Sequence, residues 1–232
     1  MIRKSVPNIF TVLNLFMGII AIILVFSDTP VFTKLDNANL ASIMVIVAML
    51  MDGIDGRVAR ALNVQSEFGK ELDSLSDVVS FGVAPAFIMY NVAFMELNPA
   101  TAWITTAIFP ICGALRLARF NVIEGIPGYF IGLPIPAAGG ILCTLALFHQ
   151  EINAYVLVIS SLLLSYLMIS RVKYPSFKKV ALPKYAYAIA LAIVVAAVVV
   201  SVLYPHYLSR MIFVPLVLYA LYGTFQGLKR KR

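Results

Sequence analysis

Four aspartates lie where a membrane would normally exclude them. Asp52 and Asp55 are three residues apart and Asp73 and Asp77 four apart, in the stretch DGIDGRVARALNVQSEFGKELDSLSD, with apolar sequence on both sides. On helices, each pair shares one face. Carboxylate oxygens gathered in this way are ligands for hard divalent cations, and cations held there suit chemistry on a phosphate or diphosphate. Left uncompensated, each intramembrane charge costs roughly 2.5–3.5 kcal/mol even on lenient insertion scales, and like charges add to that. Protonation would relieve part of the cost, and bound cations more of it. A divalent-cation transporter with carboxylates facing a polar cavity is the alternative that these residues leave open.

The pairs must be brought together by the elements that carry them. The polar segment Asn63 to Glu67 reads as the turn of an antiparallel helix hairpin, with Asp55 and Asp73 each nine residues from Val64. At about 1.5 Å of rise per residue, Asp55 then sits level with Asp73, and Asp52 with Asp77. Gly53, Gly56 and Gly69 present no side chain and permit close approach of helices or of a ligand's phosphates.

With 232 residues, 61% hydrophobic and only 12% charged, the chain is expected to be an all-α integral membrane protein forming a single membrane-embedded domain over 1–232. Apolar runs near the roughly 20 residues needed to span fall at 9–26, 40–61, 71–95, 101–121, 133–149, 152–170, 185–204 and 208–226, so about eight transmembrane helices are expected. The first run has no convincing small-residue cleavage site and is expected to be retained. With the N-terminus cytoplasmic, all of the 18 Lys and Arg except Lys34 and Arg210 fall on the inside. Both termini and the aspartate hairpin then face the cytoplasm, in the cell membrane. The net charge of +7 is thereby explained by anionic lipid rather than nucleic acid. Cys112 and Cys143 lie in apolar runs and read as small packing residues.

Other polar residues recur at meaningful spacing. Asn8, Thr11 and Asn14 form one stripe on the first helix, suited to capping and interhelical hydrogen bonds. Arg116 and Arg119 share a face in RLARFN and suggest an anion site for an acceptor's carboxylate or a lipid phosphate, with Asn121 contributing; the alternative is snorkelling to headgroups. The Gly- and Pro-rich segment EGIPGYFIGLPIPAAGG cannot be a regular lipid-facing helix, and bounds a chamber or breaks the start of helix five. His149 and His206 fall in outer loops, unrelated to the carboxylates.

Asp52, Asp55, Gly56, Ala59, Arg60, Gly69, Asp73 and Asp77 reproduce the pattern D-x2-D-G-x2-A-R-x8-G-x3-D-x3-D, and on these residues the chain resembles the CDP-alcohol phosphotransferases. DSLSDVVSFGVAPA, CGALRLARFNV and GLPIPAAG are similar to the phosphatidylserine synthase branch. The match covers roughly residues 5–140. It implies a six-helix core over about 5–170 with two added helices at about 185–226, and a homodimer. The resemblance further implies metal ligation by Asp52, Asp55, Asp73 and Asp77, with Asp77 as general base, and two divalent cations, Mg2+ or Mn2+. A nucleotide or phosphate site would involve Asn8, Thr11, Gly56, Ala59, Arg60 and Gly69. Relatives using glycerol phosphate follow the third aspartate with P-x-A-D-K, whereas this chain has Ser74, Leu75, Ser76, Asp77 and Val78. The missing lysine argues against that branch and leaves Ser76 and Ser80 as acceptor candidates, although serines in membrane helices also bond to backbone.

The implied activity is transfer of a phosphatidyl group from CDP-diacylglycerol, or an ether-lipid analogue, to the hydroxyl of L-serine, releasing CMP. The same chemistry with inositol phosphate or glycerol phosphate is the nearest alternative. Membrane prenyltransferases also use aspartates and magnesium, but their motifs are usually far apart in the chain. A cation transporter gives no reason for Gly56, Ala59, Arg60 and Gly69 at their spacing.

Overall fold

Apolar runs punctuated by Pro, Asn and Ser set the helix limits. The computed structural model describes residues 2–31, 36–61, 66–122 and 129–175. Six helices occupy these residues: α1 (Ile2–Val25), α2 (Asn37–Ala61), α3 (Glu67–Phe94), α4 (Pro99–Val122), α5 (Ile135–Leu147) and α6 (Ala154–Ile169). All six coincide with expected spans. The expected helices at 185–204 and 208–226 lie outside the described residues, as do Asn63 to Gln65 of the hairpin turn. Ser66 caps α3, its hydroxyl accepting from the Gly69 amide at 3.0 Å. Pro134 precedes α5, and the Asn153 side chain caps α6 by accepting from Tyr155.

Three of the helices, over Asn8–Val25, Glu67–Phe94 and Pro99–Val122, are long and apolar enough to cross a membrane. Three shorter apolar stretches, Asn37–Met49, Ile135–Leu147 and Ala154–Ile169, accompany them. In α2 the apolar run ends where the aspartates begin. Large apolar side chains turned outward on α1 (Ile9, Phe16, Ile23), α4 (Trp103, Ile111, Leu115) and α6 (Ile159, Leu163, Tyr166) are suited to lipid. The chain is a multi-pass membrane protein.

α3 is not a regular helix. It is α-helical over Glu67–Asp77, passes through a π-turn at Val78–Val83, resumes at Ala84–Met89 and widens again at Tyr90–Phe94. A π-turn adds a residue per turn and re-aims the side chains beyond it, a device often found at functional sites. It is also packed very closely. A β-carbon on Gly139 of α5 would stand 2.5 Å from the Phe81 carbonyl oxygen, and one on Gly82 would stand 3.3 Å from Pro110 Cα of α4. Small residues at helix contacts substitute for a hydrophobic driving force that lipid does not supply.

The all-α expectation needs one amendment. A short antiparallel ribbon pairs β1 (Tyr129–Ile131) with β2 (Lys173–Pro175), Phe130 facing Tyr174. Gly132 ends β1 at φ +79°, and a β-carbon there would strike the Met168 carbonyl oxygen. The Gly- and Pro-rich segment does break the start of α5, and part of it makes this ribbon; residues 123–128 lie outside the described residues.

Gly139→Ala should destabilise the protein by about 1–3 kcal/mol, because the obstacle is backbone that cannot turn away. Gly69→Ala meets only the side-chain oxygens of Asn8 and Ser66, each at 3.1 Å, and should leave the unfolding temperature nearly unchanged. Thermal unfolding of the two variants in detergent distinguishes these outcomes.

Candidate active site

The hairpin of α2 and α3 brings three carboxylates together. One oxygen from each of Asp52, Asp73 and Asp77 lies within 4.8 Å of the others. Asp52 and Asp73 are half-buried, and Asp77 is 7% exposed. Asp55, Gly56, Ala59 and Arg60 continue α2, but their side chains lie outside the described set. Three acidic oxygens converging in a mostly apolar bundle fit a hard divalent cation, which takes carboxylate oxygen and offsets the mutual repulsion.

α1 packs parallel to α3 and supplies the third wall. Its register is set by two hydrogen bonds to its main chain: Ser76 Oγ donates to the Thr11 carbonyl at 3.1 Å, and Ser80 Oγ to the Asn14 carbonyl at 2.9 Å. Both serines are fully buried. Each hydroxyl thus spends its proton on α1 and keeps its oxygen as an acceptor. The same register brings Asn8 against the start of α3, its Oδ1 3.1 Å from where a Gly69 β-carbon would stand. Asn8, Thr11 and Gly69, expected together at a nucleotide site, are therefore neighbours on one seam, with Asp77 just beyond.

α4 contributes two arginines with different surroundings. Arg119 donates Nη1 to the Ile169 carbonyl at 2.8 Å and Nη2 to those of Ile131, Met168 and Ser170 at 3.2, 3.4 and 3.3 Å. The terminal carbonyls of a helix are unsatisfied acceptors at the negative end of its dipole, which is why a guanidinium settles there. Arg116 is only 5% exposed, and its guanidinium carbon lies 5.6 Å from the Phe120 ring centroid. The Asn121 Nδ2 donates to Ser74 Oγ at 2.9 Å, tying the end of α4 to α3 between Asp73 and Asp77. Nothing in the spacing of Ser74 and Asn121, 47 residues apart, announces that pair. A cavity of about 600 Å³ lies at the opposite end of the bundle, lined by residues including Asp28, Asp36, Asn37 and His149 and by none of the clustered carboxylates.

A profile of the CDP-alcohol phosphatidyltransferase family matches residues 4–204. The chain belongs to this family. Among its relatives are the CDP-diacylglycerol–serine O-phosphatidyltransferase of Methanocaldococcus jannaschii, 38% identical over 232 residues and 98% of each chain, and the protein of that name from Bacillus subtilis, 38% identical over 75% of this chain and 92% of the relative. The archaetidylserine synthase of Methanothermobacter thermautotrophicus is 37% identical over 74% of this chain and 70% of the relative. Membership accords with the carboxylate cluster: a CDP-alcohol phosphatidyltransferase must act at a diphosphate, and this cluster is suited to holding the cation that a diphosphate attracts.

Divalent cations should raise the unfolding temperature of the detergent-solubilised protein, and Asp73→Asn or Asp52→Asn should abolish that rise while leaving the metal-free protein folded. Mn2+ titration followed by thermal shift or electron paramagnetic resonance checks this directly. Arg119→Lys should lower stability by about 1–3 kcal/mol, since one ammonium cannot serve four carbonyls, and thermal unfolding of the variant is the measurement.

Proposed function

We propose that this family member transfers a phosphatidyl or archaetidyl group from a CDP-linked lipid to the hydroxyl of L-serine, releasing CMP. The observation that carries the reading is the convergence of Asp52, Asp73 and Asp77 in a chain similar, over nearly its whole length, to a serine O-phosphatidyltransferase. The relatives bear both phosphatidyl and archaetidyl names, so the assignment extends to the serine acceptor and not to the linkage of the lipid chains.

The step is a displacement at phosphorus. The serine oxygen forms a bond to the lipid-bearing phosphorus, the bond from that phosphorus to the oxygen of CMP breaks, and the hydroxyl proton passes to a carboxylate. Asp77 is the assigned base. A carboxylate with an ordinary pKa near 4 is weak toward an alcohol, so positioning is what makes it effective. Ser76 and Ser80, flanking Asp77 and bonded to α1, supply that positioning. Two divalent cations, Mg2+ or Mn2+, held by Asp52, Asp55, Asp73 and Asp77, would neutralise the diphosphate and the charge developing on departing CMP. Asn8, Thr11 and Gly69, with Gly56, Ala59 and Arg60 of the pattern, are assigned to the cytidine nucleotide and its phosphates. Arg116 is assigned to an anionic group of the acceptor or the lipid.

The Lys and Arg distribution supports an active site and both termini on the cytoplasmic side. The apolar runs at 185–204 and 208–226 support eight spans, and the family resemblance supports a homodimer.

The decisive assay is CMP release from CDP-diacylglycerol with L-serine, inositol phosphate or glycerol phosphate, with and without Mg2+ or Mn2+. Serine should be the productive acceptor, a chelator should stop the reaction, and Asp55→Asn, Asp73→Asn and Asp77→Asn should each lose activity by at least about a hundredfold. Release with glycerol phosphate alone would move the protein to another branch. Metal flux into sealed vesicles without CMP release would make it a transporter.

A further inference from the structure

The side chain of Asn14 has no part in the site as described so far. It is 0% exposed, and among the described residues neither Nδ2 nor Oδ1 of its amide has a hydrogen-bond partner. A buried amide with its donors and acceptor unmet carries a desolvation penalty that leucine, of similar size, would not. Such a group in a native structure calls for an explanation.

Its position supplies one. Thr11 stands beside the Ser76–Asp77 step, and Asn14 stands one turn deeper beside Ser80, as the two serine hydrogen bonds to α1 establish. Ser80, the adjacent hydroxyl, has already donated to the main-chain carbonyl of Asn14 itself. Gly18, a turn further along α1, presses on Ser80 so closely that a β-carbon there would stand 2.5 Å from its Oγ. Asn14 thus stands where α1 packs against α3, one turn deeper than the Thr11–Ser76 contact next to Asp77, with its amide's hydrogen bonds unspent.

We propose that Asn14 binds the zwitterionic end of the amino-acid acceptor and so holds the acceptor's hydroxyl at Asp77; this rests on the proposed serine transfer. A carboxamide suits that ligand. Its oxygen accepts from an ammonium, its nitrogen donates to a carboxylate, and being neutral it adds no charge next to three aspartates. An apolar side chain at this position would bury more favourably but could distinguish no acceptor.

The test uses the full chain in detergent, comparing Asn14→Leu and Asn14→Ala with the unmodified protein. Asn14→Leu should raise the KM for L-serine by about tenfold or more, with affinity for CDP changed less than about twofold. Its unfolding temperature should equal or exceed that of the unmodified protein, because the buried polar group is gone. If Asn14→Leu does not fold, Asn14→Ala should show the same split between serine KM and CDP affinity. A serine KM within about twofold of normal in a folded variant would overturn the assignment, as would parallel losses of serine use, CDP affinity and stability. Unmodified protein that releases no CMP with serine removes the proposed function and this assignment with it. Normal serine turnover alongside an unaffected Asn14→Leu removes only the assignment.

Discussion

Carboxylates at the edge of a hydrocarbon layer repel one another and lose hydration, so their clustering is the constraint to which the rest of this bundle answers. Single carboxylates are tolerated by reaching for water. Three oxygens within 4.8 Å need helices locked in register, since a slip of one residue turns a side chain by about 100° around its helix. The lock is made of hydrogen bonds from α3 hydroxyls to the α1 main chain, and of contacts so close that only hydrogen fits where a β-carbon would stand. The acidic cluster and the apolar packing are therefore parts of one device: the packing supplies the rigidity, and a divalent cation bound there would supply the charge balance.

α4 carries two arginines one helical turn apart. Arg119 gathers the end of α6 and the β1 strand, converting the exposed carbonyls of a helix terminus into a fixed wall. Arg116, one turn earlier on the helix, is buried with the Phe120 ring alongside. Asn121 completes the closure by bonding Ser74 on α3.

Much of this was legible in the sequence, for physical reasons that differ by element. The helices were readable because membrane spans are set by length and apolarity alone, and the convergence of Asp52, Asp73 and Asp77 came from the hairpin. The β1–β2 ribbon was not, since three-residue strands flanked by Gly and Pro carry no period. Nor were the main-chain hydrogen bonds of Ser76, Ser80 and Arg119, because their acceptor carbonyls lie far away in the sequence. Asn14 was visible as a polar residue at helical spacing, but its unmet amide is a property of packing. The π-turns are also silent, because nothing in VVSFGV distinguishes a wide turn from a regular one.

That wide turn has a consequence for how the acids are aimed. An extra residue between Asp77 and Ala84 shifts the phase of everything beyond it, so the stretch that carries the acids and the stretch that fits against α4 and α5 are not bound to a common periodicity. Because Phe81 and Gly82 within that turn are the residues clamped by α5 and α4, the change of phase is itself held fixed, and the direction in which the acids point is set by contacts a full turn away from them.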